Sequence, residues 1–262
     1  MNDLDVTSAL EAFEAIELTA EARLLAEHEH ARLLDLPTQA LLEKFGAGGH
    51  KPGSGSAAAL VGILAGKLIC TVVALTREKI AYAAAHSQAQ FIATQITDRF
   101  EPALYDAFQK DAEAFHQVIE ARKQRDAETD PRRKRELGDE ALERLRRATE
   151  VPLGVCRDCL SVAELGLSIY DIGFRGARGD SGAAVSVSLA GALSALFVVY
   201  LNLTSFRSGA WAQEIRREAD ELFRTAQQLQ EALFSRTTVL RSQGEEEPQL
   251  ALPLVYGDAA RS

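Results

Sequence analysis

The sequence predicts an all-α protein: a helical bundle with two central, buried helices of small residues, each reached through a glycine-rich loop. Three observations predict it. No stretch alternates apolar and polar residues as a half-buried strand does, whereas long segments repeat their apolar residues at the helical period. Glycine and proline gather at a few joints, leaving long uninterrupted segments between them. Two runs, Ala57–Thr76 and Ala183–Thr204, are rich in Ala, Gly and Ser and hold a single charge, Lys67. Such runs suit helices surrounded by others, because small side chains let backbones approach closely.

In chain order, residues 1–35 are expected to form a helical extension, with Val6, Leu10, Phe13 and Ile16 along one face. His28 and His30 stand two apart, so their rings point to different faces and are expected in solvent. Pro37 opens a short helix carrying Leu41, Leu42 and Phe45, and Gly46 is placed to end it. The first glycine-rich loop, Gly46–Ser56, leads into the first small-residue helix. Amphipathic helices are expected over about 77–100 and 103–125, then a charged surface turn from Asp126 to Arg135 interrupted by Pro131. A helix from about Lys134 is expected to break or kink at Pro152 and continue through Tyr170. The second loop, Gly173–Gly182, leads into the second small-residue helix. In the last helix Trp211, Ile215, Ala219, Leu222, Ala226, Leu229 and Leu233 form one apolar stripe. Residues 36–240 thus read as one helical domain, and 241–262, with a Glu-Glu-Glu-Pro run, as a tail without fixed structure.

Composition narrows the function. The net charge of −9, from 29 basic and 38 acidic residues, argues against a dedicated binder of nucleic acid or anionic membranes. Three cysteines make no disulfide framework, and the acidic start Met1-Asn2-Asp3-Leu4-Asp5 is unlike a signal peptide, so the expected compartment is the cytoplasm. The small-residue runs are long enough to span a bilayer, and Gly62-x-x-x-Gly66 matches a membrane dimer motif. Lys67 would then sit near mid-bilayer at a cost of roughly 2.5–3.5 kcal/mol, so the core-helix reading is preferred and no membrane partner is expected. Cys156-Arg157-Asp158-Cys159 lacks the further ligands that zinc requires and reads as core. The run Arg132–Arg135 is answered by neighbouring acids and reads as an exposed salt-bridged face. No metal site is expected.

Two features point to chemistry. A glycine-rich loop feeding a helix N-terminus suits anion binding, because free N–H groups and the helix dipole act in the same direction. The chain has this arrangement twice, and neither copy is a P-loop or a dinucleotide fingerprint. Asp111 shares a helix side with Phe108 and Phe115. A carboxylate there is either an acid/base with a shifted pKa or a boundary residue, and spacing leaves both open.

Six segments in register, over about residues 36–235, resemble the cyclodeaminase/cyclohydrolase family. They are Pro52-Gly53-Ser54-Gly55-Ser56-Ala57-Ala58-Ala59-Leu60, Leu75–Tyr82, Asp111-Ala112-Glu113-Ala114-Phe115, Ala148–Leu153, Gly179-Asp180-Ser181-Gly182-Ala183-Ala184 and Tyr200-Leu201-Asn202-Leu203. The resemblance implies an all-helical homodimer with a folate site beside the glycine-rich loops. It implies chemistry on the one-carbon unit bridging N5 and N10 of tetrahydrofolate, with the folate as substrate and no cofactor. Hydrolysis of 5,10-methenyltetrahydrofolate to 10-formyltetrahydrofolate is preferred, since no formiminotransferase domain is fused. The alternative is cyclodeamination of 5-formiminotetrahydrofolate with loss of ammonia.

By the match, Asp111 is the proton carrier and Asp180 a second carboxylate near the site. Pro52, Gly53, Ser54, Gly55, Ser56, Lys79 and Asn202 are implied to bind substrate: the N–H groups of Gly53–Ser56 hold a carbonyl or anionic part, and Lys79 pairs with the glutamate carboxylates. The sequence departs from the family's pattern at Ser54, Gly179 and Gln109, where the family has glycine, serine and an acid. Those departures keep open a non-catalytic scaffold whose N-terminal helix contacts a protein partner.

Overall fold

The computed structural model describes residues 32–206 and 209–246, of which 244–246 by backbone alone. The helix expected over the first 35 residues lies outside the described residues up to residue 31, as do His28 and His30. The chain divides into two compact units, the first ending at Pro52 and the second beginning at Gly53. In the first unit a 3₁₀ turn, Leu33–Asp35, precedes helix α1, Thr38–Gly46, which ends at the expected glycine. Gly48 follows at φ +73°, a left-handed conformation that a side chain would strain.

Every element among the described residues of the second unit is helical: α2 (Ser54–Arg77), a 3₁₀ stretch (Ile80–Ala85), α3 (His86–Gln95), α4 (Glu101–Ala127), α5 (Pro131–Ile172), a 3₁₀ turn (Arg175–Ala177), α6 (Arg178–Leu203) and α7 (Ala210–Glu246). The last helix therefore extends into the expected tail, and residues beyond Glu246 lie outside the description.

The prolines act through position. Pro102 falls in the first turn of α4, just after a wider π-type segment, Ile96–Phe100, so the chain stays helical from α3 into α4. Pro131, expected to interrupt a turn, starts α5, where its missing N–H is no loss. Asp130 caps that helix by accepting the Arg132 N–H at 2.8 Å. Pro152 is buried inside α5, which runs through it as one helix instead of breaking. Tertiary packing on both sides offsets the one lost hydrogen bond.

Helices α2 and α6 lie antiparallel on α5. A Cβ on Gly191 of α6 would stand 2.9 Å from the Ala58 carbonyl at the start of α2, and one on Gly173 would stand 3.0 Å from Thr76 Oγ1 at its end. Added Cβ atoms at Gly62 and Gly166 would reach Cys159 Sγ at 2.8 Å and Val185 Cγ2 at 2.7 Å. The small residues are thus where the three helices touch, as their composition predicted. Cys156 and Cys159 are buried core residues. Burial of the two central helices is not all-round. On the side away from α5, Leu64 of α2 and Phe197 and Leu201 of α6 are 52%, 77% and 70% exposed. Both helices are long and apolar enough to cross a membrane, and half of each apolar window is buried inside the bundle. Lys67 forms an ion pair with Glu101 of α4. Helix α7 closes the far side of α6, where the Tyr200 hydroxyl donates to Asp220 at 2.7 Å.

Candidate active site

Helix α2 starts earlier than its apolar run. Gly53 is its N-cap, and Ser54, Gly55 and Ser56, expected as loop, form its first turn. Glycine and serine read as loop residues in sequence, yet here they begin a helix, because small side chains admit another chain at its tip. That other chain is α4. The Asp111 carboxylate Oδ2 accepts the Ser56 N–H at 2.8 Å and lies 3.0 Å from the Ser56 hydroxyl. The hydroxyl also reaches the Phe108 carbonyl at 3.1 Å, so two acceptors share its single proton. Asp111 sits so close to α2 that a Cβ on Gly55 would stand 2.1 Å from its Oδ1.

Asp111 is 7% exposed. Burial pushes its pKa above the ordinary carboxylate value, against the opposing pull of the two Ser56 hydrogen bonds. A carboxyl group poised in this way can carry a proton closer to neutrality than a solvated aspartate can.

The expected site residues fall into two groups. Gly53, Ser54, Gly55, Ser56 and Asp111 come together at the start of α2. Ser56 differs from its expected part, because its N–H is taken by Asp111 and is not free for a ligand. Asn202 stands in the last turn of α6, eleven residues and about 16 Å along the helix beyond Gly191, which meets the start of α2. It is 6% exposed, and its Nδ2 is buried with no acceptor among the described residues. Pro52 closes the first unit, adjacent in sequence to Gly53.

Lys79 and Asp180 belong to the opposite end. From Ser56 to Thr76 helix α2 climbs about 30 Å at 1.5 Å per residue, and Lys79 lies just beyond it. There Lys79 Nζ stands 5.3 Å from the centre of the Phe174 ring, which Tyr82 meets edge-on at 5.9 Å. The Phe174 N–H donates to Thr76 Oγ1 at 2.9 Å, and the Arg175 N–H to the Tyr82 hydroxyl at 3.1 Å. This cluster ties the second glycine-rich loop to the end of α2. Of its members, Thr76 and Tyr82 lie in the Leu75–Tyr82 segment, but neither spacing nor composition marked them as site residues. Asp180 is half-buried in the first turn of α6, which starts from that loop. Within one chain, therefore, Asp111 and Asp180 sit at opposite ends of the same helix pair.

Comparisons with known proteins bear on this arrangement. A family model described as formiminotransferase-cyclodeaminase matches residues 37–221. A methenyltetrahydrofolate cyclohydrolase from Methylorubrum extorquens is 29% identical over 199 residues, covering 75% of this chain and 93% of that protein. Among solved structures, a formiminotetrahydrofolate cyclodeaminase from Thermotoga maritima has the same fold. Its TM-score is 0.66 at 20% identity, covering 76% of this chain and 93% of that one.

Proposed function

The chain belongs to the formiminotransferase-cyclodeaminase family, and we propose that it is a cytoplasmic enzyme hydrolysing 5,10-methenyltetrahydrofolate to 10-formyltetrahydrofolate. The observation that carries this reading is the buried Asp111 carboxyl, its pKa raised, set against the first turn of α2. The likeness to a methenyltetrahydrofolate cyclohydrolase over 93% of that protein's length supports the choice of substrate.

In the proposed reaction, water adds to the cationic methenyl carbon while the Asp111 carboxylate takes one of its protons. The negative carboxylate also favours the cation before attack. The adduct is tetrahedral, with the carbon still joined to N5 and N10. Asp111 then returns its proton to N5 as the carbon–N5 bond breaks. The adduct's hydroxyl becomes the formyl carbonyl on N10 and loses its proton to solvent. One water is consumed and one proton released.

Oδ2 is held by Ser56, so Oδ1 is the oxygen we assign to proton transfer. The Ser54 and Gly55 N–H groups, at the positive end of the α2 dipole, and the unpartnered Asn202 Nδ2 are assigned to carbonyl or anionic parts of the folate. No cofactor is needed for these steps.

Lys79 and Asp180 join this site if a second copy supplies them. The exposed apolar side chains Leu64 on α2 and Phe197 and Leu201 on α6 support a homodimer through the α2–α6 face. A two-fold axis lying in that face and across its helices brings the Lys79 end of one copy to the Asp111 end of the other.

Absorbance of 5,10-methenyltetrahydrofolate tests the reading directly. A loss faster than the spontaneous rate, absent in Asp111→Asn, supports it, and no excess rate refutes it. Ammonia release from 5-formiminotetrahydrofolate would assign the cyclodeaminase reaction instead. One observation favours a second reading: the Asp111–Ser56 contact also completes a helix terminus, a job a non-catalytic scaffold needs equally. Such a scaffold would bind a partner protein through residues 1–35 and would show neither activity.

A further inference from the structure

A cavity of about 470 Å³ lies between the C-terminal half of α4 and the first turns of α5. Arg122 and Arg125 line it from α4, Arg135, Asp139 and Leu142 from α5, and Ser205 from the segment after α6. Three arginines thus line one space with a single lining acid, in a chain of net charge −9.

Neighbouring arginines are answered by acids. Arg133 meets Glu136 at 2.9 Å and Glu140 at 3.6 Å, and Arg132 meets Glu136 at 3.5 Å; of the three lining arginines, Arg125 meets Asp126 at 2.8 Å. Arg122 and Arg135 have no carboxylate at ion-pair distance among the described residues, and Arg135 Nε donates to the Pro131 carbonyl at 3.2 Å. Arg125 gains from standing at the C-terminus of α4, where the helix dipole favours a cation. Arg135 gains nothing of the kind, because it lies near the positive end of the α5 dipole. Arg122 and Arg125 are also half-buried, which weakens the screening of their mutual repulsion.

An anion in the cavity relieves that repulsion. Guanidinium forks match carboxylate and phosphate oxygens in paired hydrogen bonds. The volume falls within the range of small-molecule sites, about 300–1,000 Å³, larger than a lone inorganic ion fills. We propose that this cavity is a second ligand site, taking a small molecule with two or more carboxylate or phosphate groups. It is separate from the Asp111 site, since Arg122 follows Asp111 by three turns of α4, about 16 Å. The two sites communicate through one short segment. The Ser205 N–H donates to the Asn202 carbonyl at 3.0 Å, and Phe206 packs against the cluster of Val118 on α4 with Leu145 and Ala148 on α5. A ligand held by Ser205 therefore steadies the turn that carries Asn202.

The test is calorimetric titration of the full chain with citrate and, separately, with inorganic tripolyphosphate at constant ionic strength. We expect one saturable site per chain for at least one probe, and the stronger probe tells carboxylate from phosphate ligands. Binding should weaken at least tenfold in Arg122→Gln/Arg125→Gln. It should be unchanged in Arg132→Gln/Arg133→Gln, which removes the same charge from two arginines that do not line the cavity. If the first double variant fails to fold, the exposed Arg135→Gln serves in its place and should also weaken binding. No saturable heat from either probe, or equal weakening in both double variants, overturns the proposal. Neither titration depends on the folate reaction, so the two readings fail separately.

Discussion

Asp111 on α4 accepts the backbone N–H of Ser56 on α2 at 2.8 Å, so a carboxylate from one helix finishes the N-terminus of another. The N-cap of α2 is Gly53, which has no side chain for this task. The contact places a carboxyl group in a buried position that only glycine at Gly55 leaves open. Stability and the proposed proton chemistry therefore meet in one pair of residues, and substitutions can separate them.

Asp111→Asn keeps an oxygen acceptor for the Ser56 N–H but cannot carry a proton. Its hydrolysis rate is expected to fall by about 10²–10⁴ while stability stays within about 1 kcal/mol of the parent. Asp111→Ala should lose activity and also about 1–3 kcal/mol, because it leaves the buried Ser56 N–H without a partner. Absorbance assays and urea unfolding on the same preparations check both.

The raised pKa of Asp111 makes a signed prediction for pH. The folded state holds this proton more tightly than the unfolded chain, whose aspartate titrates near 3.8. Stability from this group is therefore full below that value and falls as pH rises through the native pKa. Asp111→Asn lacks the loss. Its stability relative to the parent should be greatest at neutral pH and shrink toward about pH 4, as measured by urea midpoints across that range.

Gly55→Ala should be destabilised by roughly 1–3 kcal/mol and inactive, because its Cβ would fall 2.1 Å from Asp111 Oδ1. Gly154→Ala is the matched control. Its Cβ meets nothing within 4 Å on α5, so the helix should gain roughly 0.5–1 kcal/mol. Thermal melts of the two variants should move in opposite directions.

Burial pushes the Cys156 thiol up to about 12 and the Cys159 thiol higher still. Neither should react with a thiol-specific disulfide reagent in the native protein at neutral pH, and both should react on unfolding. Cys70, half-buried on α2 and also shifted upward by burial, should react slowly. Counting the thiols released before and after denaturation checks the order.

Phe197→Asp should convert the proposed homodimer to monomer, because it sets a charge on the most exposed apolar side chain of α6. Sedimentation velocity on parent and variant reads the change. A parent that sediments as a monomer would remove the dimer from the proposed function.

The helical fold and the two small-residue helices were legible in the sequence because periodicity and side-chain size are local properties. The starts of those helices were not. Ser54–Ser56 and Arg178–Gly182 read as loop and are helical, since an N-terminus is finished by whatever packs on it, here Asp111 in the case of α2. The prolines show the same limit. Pro131 and Pro152 look alike as breakers, yet one begins α5 and the other lies buried within it.

Asp111 shows it most clearly. Its spacing allowed both a boundary residue and a proton carrier, and the fold buries the carboxyl against the Ser56 N–H, the placement on which the proposed proton transfer rests. Lys79 and Asp180 stand in the same series of motifs, but the antiparallel packing of α2 and α6 sets them a helix length away from Asp111. Sequence by itself determined which residues form helices and which faces are apolar. Only the tertiary structure decided which side chains meet, because burial, repulsion and hydrogen bonding act through distances that order along the chain does not contain.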